Sequence, residues 1–124
     1  MIARRLARDG FAVAVNGRPG DDQVAAIGRA IRDDGGAAEG FCADVTDEDQ
    51  VAGLAAAIAD CLGPVDVLVL NATGPQPEAA VTDVAWADHL AQLDFFVKSP
   101  VLLGRAVLPG MPCGVAGGRA RLGT

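Results

Sequence analysis

The sequence holds no tyrosine, one serine and one lysine among its 124 residues. Chemistry that moves a proton through a phenol is therefore excluded from this chain. Aromatic side chains are scarce, with four Phe and one Trp, so small aliphatic residues must fill the core. Three cysteines, Cys42, Cys61 and Cys113, show no CxxC spacing. An odd, scattered set argues against a disulfide framework or a metal site and suits a reducing, cytoplasmic compartment. Cys42 lies in an apolar run and is expected as a buried thiol. No apolar run is long enough to cross a bilayer, and the N-terminus has no signal-like apolar core. Positive charge is also short: 10 basic residues face 16 acidic ones, a net charge of -6. Such a surface repels phosphate backbones, which excludes nucleic acid as a natural partner.

What remains is a globular composition, 51% hydrophobic and 21% charged, of a length that suits one domain. Helix-like and strand-like segments alternate. Ile2 and Leu6 recur at helical spacing, and Gly10 marks a stop. Phe11 to Val15 reads as a buried strand, and Asn16 to Gly20 as a turn cluster. Val24, Ile27 and Ile31 share one face of a second helix ended by Gly35-Gly36. Ala37 to Ala43 reads as a weaker strand. Thr46 is the expected N-cap of a third helix, with Asp47, Glu48 and Asp49 in its first turn. Val51, Leu54, Ile58 and Leu62 line its buried face, and Gly63-Pro64 stops it. Val65 to Leu70 reads as the strongest strand, and Asn71 to Pro77 as a loop. About 82–108 reads as one long helix, with a bend expected at Pro100.

Apolar strands separated by helices predict an α/β fold: a doubly wound parallel sheet covered on both faces, in three α/β/α layers. The domain is expected over residues 1–109. Residues 110–124, with five glycines and no apolar run, read as an irregular or disordered tail. Ligands of such a sheet bind beyond the carboxyl ends of its strands. Three loops qualify, beginning at Asn16-Gly17-Arg18, Asp44-Val45 and Asn71-Ala72-Thr73-Gly74.

Four segments in order carry a resemblance. They are "IARRLARDGFAVAVNGRP", "FCADVTDEDQV", "GPVDVLVLNATG" and "WADHLAQLDFFVKSPVLLGRAVLPGM". Together they resemble the short-chain dehydrogenase/reductase family over about residues 1–111. The resemblance implies a partial Rossmann-type sheet and an NADP(H)-dependent oxidoreductase acting on a carbonyl or alcohol. In that family an acid ending the second strand grips the ribose 2′-hydroxyl of NAD. Here Gly17 takes that place and Arg18 follows. A guanidinium can bind a 2′-phosphate bidentately, so NADP is favoured over NAD. A solvated loop arginine is the other reading of Arg18.

Asp44 matches the family's adenine-contacting Asp, with the Val45 backbone reading the ring; alone, Asp44 could equally be a helix-start acid. Asn71, Ala72, Thr73 and Gly74 match the turn that approaches the nicotinamide ribose. The pattern departs there, with Leu70 for the first Asn and Thr73 for a Gly.

The long helix departs further. Counting back from Met111 puts Phe96 at the family's catalytic Asn, whereas counting forward from Trp86 puts Leu93 there. A mismatch of three residues implies an insertion or a bend. Neither position holds Asn, Lys98 reads as a snorkelling surface residue, and His89 as solvated. No catalytic residue and no metal ligand is assigned. The family's glycine-rich loop and its Tyr-x-x-x-Lys motif have no counterpart, and Ser99 falls within a predicted helix.

The leading expectation is thus a truncated reductase, inactive alone. The alternative is a non-catalytic partner that docks, or a homo-oligomer that forms, through the helix at about 82–108. A phospho-acceptor receiver domain is a third reading; it would need acids clustered at the ends of early strands, whereas Asp21-Asp22 follows a second-strand loop and has no partnering lysine late in the chain.

Overall fold

The structure, a computed structural model, describes residues 2–74, 76–111 and 122–123. Helix α1, Ile2–Arg8, ends at Gly10. The Gly10 N–H bonds the Ala7 carbonyl and the Phe11 N–H bonds that of Leu6. These paired bonds close a helix C-terminus only if the chain turns left-handed, and Gly10 does so at φ +94°. Helix α2, Asp22–Asp33, ends the same way: Gly35 bonds Arg32, Gly36 bonds Ile31, and Gly35 has φ +86°. Both stops were legible in the sequence.

Strand β1 runs Val13–Gly17, two residues later than the hydrophobic run suggests. The reason is local. The Phe11 N–H closes the helix cap, so pairing starts with the Val13 N–H on the Ala37 carbonyl. Asn16 and Gly17, expected in a turn, are the last residues of the strand. Strand β2, Ala38–Cys42, lies parallel to β1 in the register Val13↔Ala38 to Gly17↔Cys42.

Helix α3, Glu48–Leu62, is capped by Asp47, whose carboxylate accepts from the Gln50 N–H at 3.0 Å. The expected cap, Thr46, is engaged elsewhere: its N–H and hydroxyl both bond Asp44. Val51 and Leu54 are buried as expected, with Ile58 and Leu62 half-buried.

The third strand corrects the reading most. Only Leu68–Val69 form β3, against the expected Val65 to Leu70. They pair in parallel with Leu122–Gly123, strand β4. Among the described residues there are thus two separate two-stranded parallel sheets, β1-β2 and β3-β4. A strand needs a hydrogen-bonding neighbour as well as an apolar sequence. A doubly wound order puts another strand between β1 and β3, and no described residue occupies that slot. Of the tail expected at 110–124, Gly110 ends a 3-10 turn, Leu108–Gly110, and Leu122–Gly123 pair with β3. Residues 112–121 and Thr124 lie outside the described residues.

The helices form layers. Val13, Ile31 and Ala38 make one buried cluster, backed by Leu6, Ala7, Val15 and Ile27 from α1, α2 and β1. Val45, Val51 and Leu102 make another, backed by Leu103. Among the described residues these are two separate buried clusters. Cys42 is exposed, contrary to expectation. Helix α2 begins at Asp22, so its body covers Ala38 and Gly40, while Cys42 is left at the rim beside the Asp21 carbonyl.

The long helix is three pieces. It starts at Trp86, later than about residue 82, because the Asp88 carboxylate accepts from the Ala85 N–H and fixes the first turn there. Helix α4, Trp86–Leu93, leads into a π-helical turn, Asp94–Lys98, and then α5, Ser99–Val107. Pro100 lacks an N–H and would crowd the preceding turn of an α-helix. The wider turn just before it relieves that crowding; it adds one residue and so does not by itself account for the three-residue mismatch of the counts.

Candidate functional site

The carboxyl ends of β1 and β2 are laced together. The Ala43 N–H bonds the Gly17 carbonyl at 3.0 Å, and the Asn16 side-chain amide bonds the Ala43 carbonyl at 3.1 Å. Gly17 has no room for a side chain. A Cβ there would overlap the Val24 side chain and stand 2.9 Å from an Asp21 carboxylate oxygen. The chain thus passes closely under the start of α2 and releases Arg18 at the rim.

Arg18 reaches across to the third loop. Its Nη2 donates to the Thr73 carbonyl at 3.2 Å. Its Cζ lies 5.6 Å from the centre of the Phe95 ring, within cation–π range. Gly74 completes the contact: a Cβ on it would overlap the Phe95 ring.

Asp44 holds the middle loop. One carboxylate oxygen, Oδ1, accepts from the Thr46 hydroxyl at 2.6 Å and the Thr46 N–H at 2.9 Å. The Asp44 N–H donates to the Gln50 side chain at 2.8 Å. Hydrogen bonds from the Thr46 hydroxyl and N–H hold the carboxyl below its ordinary range, against the opposing effect of burial. Lys98 and Arg18 add smaller electrostatic pulls in the same direction. Among the described residues the second oxygen, Oδ2, takes no hydrogen bond, so it can accept one. Val45 is buried between α3 and α5 and anchors the loop.

Arg18, Asp44, Thr73 and Gly74 therefore share one rim, with Gly17 beneath it. Asn71 and Ala72 are exposed at the start of the third loop, and Pro75 lies outside the described residues. Two members were missed. Phe95 sits in the π-helical turn, where simple helical counting fails. Lys98 is exposed, as a snorkelling residue should be, yet its charge acts on Asp44. His89 is exposed, its ring tilted at 44° to that of Trp86 with centres 6.1 Å apart. Ser99 is 2% exposed and shut inside the fold. No group of metal-binding side chains occurs among the described residues. A separate hollow lies at the other end of the strands, lined by Arg4, Arg8, Ile31 and Asp34; it contains none of the loop residues and lies away from the ligand end of the sheet.

The rim offers a guanidinium, a free carboxylate oxygen and a glycine-bearing loop, a set suited to a nucleotide. Comparison with known proteins points the same way. The family model described as short chain dehydrogenase matches residues 1–120. A putative ketoacyl reductase of monensin polyketide synthase from Streptomyces virginiae is 38% identical over 108 residues, covering 86% of this chain and 40% of the relative. A metagenomic short-chain oxidoreductase solved with NADP superposes with TM-score 0.79 at 31% identity, covering 88% of this chain and 49% of that one. A variant of the actinorhodin polyketide ketoreductase solved with NADPH gives TM-score 0.80 at 31% identity, covering 88% and 41%. The chain thus spans less than half the length of each.

Proposed function

The chain belongs to the short-chain dehydrogenase family, and from that premise we propose that residues 1–109 form part of the cofactor-binding unit of an NADP(H)-dependent, cytoplasmic reductase. The complete enzyme would pass hydride between nicotinamide and a small carbonyl or alcohol. Arg18 is the 2′-phosphate ligand, since Gly17 brings no competing carboxylate of its own. Asp44 Oδ2 accepts from the adenine amino group and the Val45 backbone reads the ring. The Asn71–Gly74 backbone flanks the nicotinamide ribose. The nicotinamide supplies the hydride when bound; no residue of this chain is assigned to proton transfer.

One observation supports the reading: the Arg18 guanidinium donates to the Thr73 carbonyl, and Asp44 lies within electrostatic reach of Arg18. Titration of the purified chain with NADPH and NADH tests it. Weak binding that favours NADPH, lowered by Arg18→Ala, is expected, with no turnover of a simple ketone. Equal affinity for both dinucleotides, unchanged in the variant, would remove Arg18 from its role.

A second reading has its own support. Trp86, Leu90, Leu93, Val97 and Val101 are all exposed at near-helical spacing along α4, the π-helical turn and α5. Large apolar stripes of this kind mark interaction surfaces. The chain would then act by docking onto a related subunit or a second copy. Sedimentation of the wild type and of a Leu90→Glu, Val97→Glu double variant checks this: association lost in the variant supports docking, and a wild-type monomer that captures no family member contradicts it.

A further inference from the structure

Strand β2 leaves the sheet at Ala43. The Ala43 N–H still bonds the Gly17 carbonyl, one step past the last pair, Gly17↔Cys42. The Ala43 carbonyl lies beyond the ladder, and Asn16 supplies its partner: the side-chain amide donates to it at 3.1 Å. Val13 and Val15 pack in the first buried cluster, so the alternation of β1 turns Asn16 to the opposite face of the sheet.

The other edge of the same peptide is held from α3. The Asp44 N–H donates to the Gln50 side-chain carbonyl at 2.8 Å. Asp47 and Gln50 have the spacing of a capping box, in which the Gln side chain ordinarily turns back to the N-cap N–H. Here the Asp44 carbonyl takes the Asp47 N–H at 3.2 Å, which releases Gln50 to reach Asp44. The Ala43 carbonyl and the Asp44 N–H belong to one planar unit. Two side-chain amides thus grip that plane from opposite edges, one from β1 and one from α3. Thr46 pins Oδ1 of Asp44 as well, which leaves Oδ2 for a ligand. Every one of these contacts lies within β1, β2 and the turn into α3, and the two strands pair directly.

We propose that Asn16 and Gln50 are positioning residues: by clamping the 43–44 peptide they aim Asp44 Oδ2 at the base of the dinucleotide and so set the preference for adenine over hypoxanthine. The proposal rests on the dinucleotide reading above. Adenine offers an amino donor to the carboxylate, whereas hypoxanthine presents a carbonyl there, so the preference depends on where Oδ2 stands. A carboxylate already in place loses less freedom on binding than one the ligand must order.

The test is made on the full chain, with NADPH and its deamino analogue, which carries hypoxanthine, as ligands. In the wild type the Asp44 amide proton should exchange slowly by NMR, and NADPH should bind about tenfold more tightly than the analogue. Gln50→Ala and Asn16→Asp should each lower that ratio about two- to tenfold. Gln50→Glu keeps the acceptor oxygen and should retain both the slow exchange and the ratio. Added to Asp44→Ala, Gln50→Ala should lower the ratio no further, because the clamp acts through the carboxylate. A wild type whose Asp44 amide exchanges like that of an open loop overturns the proposal even if every variant fails to fold. So does a folded Gln50→Ala chain that discriminates like the wild type, and in that case the site reading stands. A wild type that binds neither ligand, or both equally, defeats the site reading, and this proposal with it.

Discussion

Thr46 gives both its hydroxyl and its backbone N–H to Asp44, at 2.6 and 2.9 Å. Those two bonds stabilise the ionised carboxylate, so the Asp44 pKa is lower folded than unfolded. The stability it contributes is fully present above the unfolded value of about 3.9. It is lost as pH falls through the lower, folded value. Thr46→Val removes the hydroxyl bond and should move the pKa back up toward the ordinary range. The cost at neutral pH should be about 1 kcal/mol or less, since Asp44 is partly solvated. Carbon-detected NMR titration of Asp44 in both chains checks it; an unchanged midpoint in Thr46→Val would show that another group sets the shift.

Gly17 and Gly53 make an opposed pair. A Cβ on Gly17 would overlap Val24, whereas one on Gly53, inside α3, meets nothing within 4 Å. Gly53→Ala should therefore stabilise by up to about 1 kcal/mol, through helix propensity and a stiffer unfolded chain. Gly17→Asp, the change that imitates an NAD-type acid, should cost about 1–3 kcal/mol from overpacking. Chemical denaturation of both variants measures this. A Gly17→Asp chain as stable as the wild type would mean that α2 shifts freely at that point.

Ile31 is 2% exposed at the centre of the first cluster, with Val13 and Ala38. Ile31→Ala should cost about 2–5 kcal/mol, a large share of the about 5–15 kcal/mol that holds an ordinary domain together. With β1 paired on one edge only among the described residues, little reserve is expected. The thermal midpoint should fall by more than about 8 °C, or the cooperative transition should disappear. Leu90→Ser, at a 46% exposed position, should leave the midpoint near that of the wild type. Equal effects from the two changes would mean that the first cluster is not the stabilising core.

Local signals were the legible ones. Gly10 and Gly35 stop helices because a left-handed residue is needed there, and glycine is the usual solution. Val24 and Ile31 recur at helical spacing and are buried. The three rim loops follow from strand order alone. What failed depended on distant partners or on close competitors. Thr46 and Asp47 are both good caps, and only the Asp44 carboxylate decides between them. Val65 to Leu70 is apolar throughout but for Asp66, yet pairing limits the strand to Leu68–Val69. Cys42 belongs to a strand whose covering helix starts too late to bury it. Phe95 became visible only once the π-helical turn fixed its phase.

The central claim is that three loops form one dinucleotide site, and backbone NMR during NADPH titration tests it most directly. Shifts should appear together at Gly17, Arg18, Asp44, Val45 and Asn71 to Gly74, and leave the Arg4, Arg8 and Asp34 hollow untouched. Saturating shifts confined to that hollow, or to the exposed stripe around Leu90 and Val97, would contradict the claim.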